Sequence, residues 1–153
     1  MPLKSRFPHA AIYEEEVWYS PWETEKIRTF GDSIVEKYDD GVDVLLIGHS
    51  MGGLVACAIA PQFSHSRVRG IATLFSGHTF FGGLFARIAG VPQESSIPII
   101  SFQAKIDQIV WWGTRHPRAV AHVDLLSDHL FGMAYVKRYG EVVAKTIEEK
   151  LFI

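Results

Sequence analysis

The sequence has little cysteine, no concentrated charge of one sign and no long apolar run. Its single cysteine, Cys57, cannot form an intrachain disulfide, so the cysteine content does not indicate an oxidising compartment. The net charge is −2 and there is no basic block, which argues against nucleic acid as a partner. No run approaches the roughly 20 apolar residues of a membrane span, and the N-terminus lacks the apolar core of a signal peptide. We therefore expect a cytoplasmic protein without a stable membrane anchor.

The composition is that of an ordinary globular domain. Of the 153 residues, 48% are hydrophobic and 21% are charged, which is enough apolar material to bury a sizeable core. There is no internal repeat, low-complexity tract or linker. The length and the even composition predict one domain over residues 1–153.

Strand-like and helix-like segments alternate along the chain. The strand-like segments are Ala10–Tyr19, Val42–Gly48, Arg69–Gly77, Ile97–Asp107 and Ala119–Leu126. The helix-like segments are Ser20–Tyr38, Ser50–Ala60, Phe80–Gly90 and Leu130–Leu151, with a helix or turn over Gln108–Thr114. This alternation predicts an α/β fold with a mostly parallel sheet of about five strands.

One tight corner carries a recognisable pattern. Gly48-His49-Ser50-Met51-Gly52 matches G-x-S-x-G, in which a serine lies on a sharp turn between a strand and a helix. We expect side chains at Gly48 and Gly52 to collide with the turn or with the neighbouring strand and helix. The turn would expose the Ser50 hydroxyl, and the Met51 N–H is placed to bind an oxyanion. A tight turn without chemistry is the alternative interpretation.

The stretch "LLIGHSMGGLVA" resembles the nucleophile elbow of the α/β-hydrolase superfamily, especially of its lipase- and esterase-like members. The resemblance extends from about Val42 to the C-terminus, because the later elements follow in the family's order. It implies a three-layer α/β-hydrolase-like fold and a catalytic triad in the chain order serine, acid, histidine. It also implies cleavage of carboxylic esters through an acyl-enzyme, with no metal or organic cofactor.

The family positions of the acid and the base correspond to Asp107 and His129. Asp107 ends the fourth predicted strand, and His129 follows the fifth strand just before the last helix. Asp107 could alternatively cap a helix, and Asp124 or Asp128 could replace it as the partner of the histidine. The six other histidines are less well placed along the chain for the base: His9, His49, His65, His78, His116 and His122.

The N-terminal part departs from the family pattern. One strand precedes the elbow strand, and no HG-type loop is present to supply the second oxyanion N–H. If Ala10–Tyr19 pairs beside the elbow strand, Trp18 and Tyr19 would lie next to Ser50 and could offer that donor. If Ala10–Tyr19 sits one place further out, either another chain fills the gap or the site is incomplete. His78 follows the third strand and could line the substrate pocket.

Two further expectations follow from this reduced N-terminus. Strands that each add on the same side place their connecting helices on one face, so one face of the sheet would have little cover. A homodimer that buries the remainder is therefore a hypothesis. For function, the alternatives to an esterase are a thioesterase or amidase on the same triad, and a degenerate hydrolase fold that binds without catalysis.

Overall fold

A computed structural model describes residues 5–16, 23–77, 96–107, 115–128 and 136–152. The described helices are α1 (Thr24–Tyr38), α2 (Met51–Ile59) and α3 (Val136–Leu151), with a short 3-10 helix over Ala60–Gln62. The strands are β1 (Asp43–His49), β2 (Arg67–Leu74), β3 (Ile99–Ile106) and β4 (Ala121–Asp128). The predicted segments Phe80–Gly90 and Gln108–Thr114 lie outside the described residues.

The four strands form one sheet in the order β1-β2-β3-β4, and every neighbouring pair is parallel. The predicted α/β fold with a parallel sheet is therefore confirmed. The strands do not end at the same level: Leu74, the last residue of β2, pairs with Phe102, whereas β3 continues beside β4 to Ile106. At their carboxyl ends, β3 and β4 thus extend several residues beyond the level of the sheet at which β1 and β2 end.

Helices α1 and α2 cover one face of the sheet. Their buried residues Ile27, Val55 and Ile59 pack with apolar side chains of β1 and β2. The two helices approach closely at Gly31, where an added Cβ would lie 2.7 Å from Cγ2 of Ile59. A glycine in the middle of α1 costs helix stability, and this close contact is the compensating reason for its presence.

Helix α3 covers the opposite face, which completes the three layers. Its stripe of Val143, Ile147 and Leu151 packs on β2 and β3, with Phe102 and Ile100 of β3 fully buried beneath it. The stripe follows the i, i+4 spacing of one helix face.

The described part of the first predicted strand does not form a strand. Residues 10–16 carry no strand and are all exposed, while Val17, Trp18 and Tyr19 lie outside the described residues. Three successive glutamates, Glu14–Glu16, would place carboxylates on both faces of a strand, and burying them costs too much free energy. The segment instead binds the end of α1: Glu15 accepts hydrogen bonds from Lys37 and Tyr38.

Candidate active site

The candidate site lies at one edge of the sheet. Because β1 to β4 are parallel, their carboxyl ends meet at the same edge, which is where open α/β sheets bind ligands. Ser50 directly follows β1, and Asp107 directly follows β3. His129 is the next residue in the sequence after β4. The structure thus brings Ser50 and Asp107 to one edge.

Four of the predicted site residues cannot be placed in this way. His129, Trp18, Tyr19 and His78 lie outside the described residues. Their roles as base, second oxyanion donor and pocket lining stay predictions. So does the role of Asp107 as the orienting acid.

Ser50 has an unusual backbone conformation. Its φ is 51° and its ψ is −120°, which is a left-handed geometry that residues with a side chain rarely adopt. Such a conformation costs on the order of 1–3 kcal/mol and persists only where surrounding contacts hold it. Two backbone hydrogen bonds do so: the Ser50 N–H donates to the Leu74 carbonyl at 2.8 Å, and the Ser50 carbonyl accepts from the Gly53 N–H at 3.2 Å.

The Ser50 side chain is not used to cap the helix. Ser50 occupies the N-cap position of α2, where serine commonly bonds to the backbone of the first turn. Here the structure shows no side-chain capping bond. Met51 begins the helix, so its N–H belongs to the first turn, whose donors have no acceptor within the helix. Serine hydroxyl and helix N-terminus therefore lie side by side.

The glycines of the motif have different environments. An added Cβ on Gly48 would lie 2.3 Å from the Gly52 carbonyl oxygen, which confirms that only glycine fits there. The expectation for Gly52 is wrong, because nothing among the described residues lies within 4 Å of its added Cβ. The close contact falls instead on Gly53, whose added Cβ would lie 2.0 Å from Oγ of Ser76. The second glycine of the Gly-Gly pair is therefore the one that lets the segment after β2 approach α2.

Asp107 is a buried carboxyl group, with 8% of its surface exposed. A buried carboxylate is expensive unless polar partners surround it, so its position suits an acid that orients another group. Asp124 differs, because it is exposed, lies in the middle of β4 and faces Arg115 at 3.8 Å. Asp128 is the last residue of β4. The strand position therefore favours Asp107 over Asp124.

Three described histidines lie away from this edge. His65 donates its N–H to Asp39 in the loop before β2, which is at the amino end of the sheet. His116 precedes β4, and burial, with smaller effects of Arg118 and His122, lowers its pKa. His122 is the second residue of β4. All three therefore lie toward the amino ends of the strands, away from the residues that follow the carboxyl ends.

The remaining described histidines are also poor candidates for the base. His49 lies at the correct edge, but its ring packs edge-on against Phe75, with centroids 5.8 Å apart. His9 is exposed in the N-terminal segment.

No metal site is found in the described part of the chain. No group of three or more histidine, cysteine or carboxylate side chains there is arranged to hold an ion. Likewise, none of the helices in the described ranges is both long enough and apolar enough to cross a membrane.

Two residues that support the serine have no clear signal in the sequence. Phe75 also has a positive φ, of 55°, and it directly follows β2. Ser76 is fully buried against Gly53. A double glycine after the serine hints at a close approach near Gly53, but a phenylalanine gives no indication of a left-handed conformation.

Comparison with known proteins agrees with the α/β fold. A family model described as "PGAP1-like alpha/beta domain" matches residues 24–80, which include α1, β1, the elbow, α2 and β2. Searching the curated proteins finds no significant match.

Among solved structures, the chain is similar to MGS-MChE2, an alpha/beta hydrolase enzyme from the metagenome of lagoon sediments of Mar Chica, Morocco. The two share 15% sequence identity, and the TM-score is 0.56 over 81% of this chain and 70% of that one. At this identity the likeness concerns the fold. The chain therefore has an α/β-hydrolase-like fold.

Proposed function

We propose that this hydrolase-like chain is a serine hydrolase that cleaves carboxylic esters through an acyl-enzyme. The observation that carries the proposal is the left-handed conformation of Ser50 between a parallel strand and a helix N-terminus. A turn that served only to connect β1 to α2 would not need a strained residue with a side chain. The strain is understandable if it presents the hydroxyl to a substrate.

The proposed reaction has two steps. Ser50 Oγ attacks the ester carbonyl while His129 takes its proton, and the Met51 N–H binds the oxyanion. Collapse of this intermediate breaks the bond to the alcohol, which leaves with the proton held by His129. Water then gives a proton to His129 and attacks the acyl group. Collapse of this second intermediate breaks the bond to Ser50 Oγ, which takes the proton back from His129 as the acid leaves. Asp107 holds the imidazole and stabilises its positive charge.

A second oxyanion donor is needed beside Met51. We propose that it comes from Trp18 or Tyr19, and that His78 lines the pocket. Neither assignment is required for the first test of the function, since a covalent probe reports on Ser50 itself. Substrate preference among esters, thioesters and amides follows from a panel of p-nitrophenyl esters, acyl-CoAs and amides.

A fluorophosphonate probe tests the proposal, because it reacts with activated serine hydroxyls. The wild type should be labelled at Ser50, and Ser50→Ala should abolish labelling. Ser33→Ala is a matched control, since Ser33 is an exposed serine on α1 that bonds to the Phe30 carbonyl. His129→Ala and Asp107→Asn should each lower turnover by about 10⁴-fold. An unlabelled wild type at neutral pH would favour the binding protein without catalysis.

A further inference from the structure

The segment that follows β2 contacts the elbow at three points. We call Leu74–Ser76 the support segment. Its first contact is the hydrogen bond from the Ser50 N–H to the Leu74 carbonyl, at 2.8 Å. Because Ser50 lies just beyond the last residue of β1, this bond extends the ladder between β1 and β2 into the turn itself.

The second contact comes from Phe75. Its ring is 3% exposed and belongs to the core beneath α3, together with Phe102 and Ile147. The Phe75 ring also contacts the imidazole of His49, and the two ring planes meet at 86°. The Phe75 backbone is held as well, since its N–H donates to the Phe102 carbonyl at 2.9 Å.

The third contact is made by Ser76 beneath the first turn of α2. The side chain of Ser76 is fully buried and lies so close to Gly53 that no Cβ fits between them. The Gly53 N–H in turn donates to the Ser50 carbonyl. The support segment thus touches the residue before Ser50, Ser50 itself and the residue that bonds to its carbonyl.

The described residues other than glycine contain two with a positive φ, Ser50 and Phe75. Each directly follows one member of the last residue pair of β1 and β2, which is His49 with Leu74. Left-handed residues persist only where their surroundings determine them. We propose that Phe75 is a positioning residue for Ser50. Anchored in the core under α3, it directs the Leu74 carbonyl to the Ser50 N–H and packs against His49, so that the serine keeps its strained conformation.

The expected effect of Phe75 on the reactivity of Ser50 rests on the proposed function. Its expected effect on the backbone conformation of Ser50 does not. The variant is Phe75→Leu, which keeps an apolar side chain and loses the ring against His49. The matched control is Phe102→Leu, the same substitution in the same core, at a residue of β3 outside both the support segment and the elbow; the Phe102 carbonyl that accepts from Phe75 is backbone and is kept. Both variants lose core packing, so both should have lower thermal stability than the wild type.

Two measurements at a temperature where all three proteins are folded separate positioning from stability. The first is hydrogen exchange of the Ser50 amide, measured by NMR. The second is the second-order rate constant for fluorophosphonate labelling of Ser50. Phe75→Leu should raise the exchange rate and slow labelling, each by about tenfold or more, because a small displacement of a reacting group is costly. Phe102→Leu should leave both near the wild-type values.

The outcomes are distinguishable. If the two variants change exchange and labelling equally, Phe75 has only a core role and the proposal is overturned. If Phe75→Leu leaves Ser50 amide exchange unchanged, the proposal is also overturned. If the wild type is not labelled at all, the proposed function fails, and the exchange comparison still decides whether Phe75 positions the elbow.

Discussion

At the scale of single residues, Gly48 and Gly52 occupy equivalent places in one motif but have different surroundings. An added Cβ on Gly48 would meet the backbone at 2.3 Å, whereas Gly52 has open space among the described residues. Backbone atoms cannot move aside as a flexible side chain can. Replacing each glycine with alanine therefore compares a crowded and an open position within one motif.

We expect Gly48→Ala to destabilise the protein by about 3 kcal/mol, the upper end of what overpacking usually costs. Gly52→Ala should be neutral or stabilise by up to about 1 kcal/mol, because alanine is the better helix former inside α2. Urea denaturation of both variants measures the difference. Equal destabilisation by the two substitutions would contradict the environment described for Gly52.

Asp39 ties the end of α1 to the loop before β2. Its carboxylate accepts hydrogen bonds from the backbone N–H groups of Ser64, His65 and Ser66. Burial alone would raise the pKa of Asp39, but these hydrogen bonds outweigh it and hold the pKa well below the ordinary value of 3.8. The charged form is therefore the one that the folded state favours.

A depressed pKa makes the contribution of Asp39 to stability depend on pH. The contribution should be fully present above the ordinary value and be lost as the pH falls through the lower, folded-state value. Asp39→Asn should thus be less stable than the wild type at neutral pH, with the gap narrowing below about pH 4. Urea midpoints across this range measure the gap. Asp40→Asn, at the exposed neighbouring residue, should show no comparable gap.

At the scale of elements, α3 contributes one face of the core through few side chains. Ile147 is fully buried on β2 and β3, whereas Val142 on the same helix is 42% exposed. Truncating a buried isoleucine removes apolar contacts and leaves a cavity that the surroundings fill only in part.

Ile147→Ala should therefore lower the free energy of unfolding by about 2–5 kcal/mol. Val142→Ala, at a surface position of the same helix, should change it by less than about 0.5 kcal/mol. Chemical denaturation followed by circular dichroism measures both. Similar losses in the two variants would mean that α3 does not dock on the sheet as described.

The elements that could be predicted from sequence are those with a clear local pattern. The continuous apolar run of β1 and the spaced apolar stripe of α3 both indicate their structure without any tertiary information. Ala10–Tyr19 was misleading, because its apolar and aromatic residues resemble a strand while Glu14–Glu16 prevent burial of the described part. Whether such a segment forms a strand depends on whether the folded protein provides a neighbouring strand with which it can pair.

At the scale of the whole molecule, the sheet has two outer strands, β1 and β4. Within the described ranges β1 pairs on one side alone, with β2, and its Ile47 is 37% exposed. The strand that precedes Ser50 therefore stands at the outer position of this four-stranded sheet. An outer strand presents unpaired backbone groups that another chain can use.

The homodimer expected from the sequence stays a prediction, and the outer position of β1 is the observation in its favour. Sedimentation equilibrium should give twice the chain mass of 17.2 kDa at micromolar concentration. Ile47→Lys, which introduces a charge on β1, should shift the equilibrium toward the monomer. A wild type of single-chain mass at all concentrations would contradict the prediction.

The sequence by itself determined the alternation of strands and helices and the tight turn at Ser50, since periodicity and glycine spacing act between near neighbours. The chain order of the candidate triad is what the family resemblance implies. The tertiary structure alone decided that Gly53 rather than Gly52 makes the close contact, that Phe75 adopts a left-handed conformation, and that residues 10–16 bind α1. The physical reason is that each of these depends on atoms brought together from distant parts of the chain. Space, burial and a hydrogen-bond partner are properties of the packed fold.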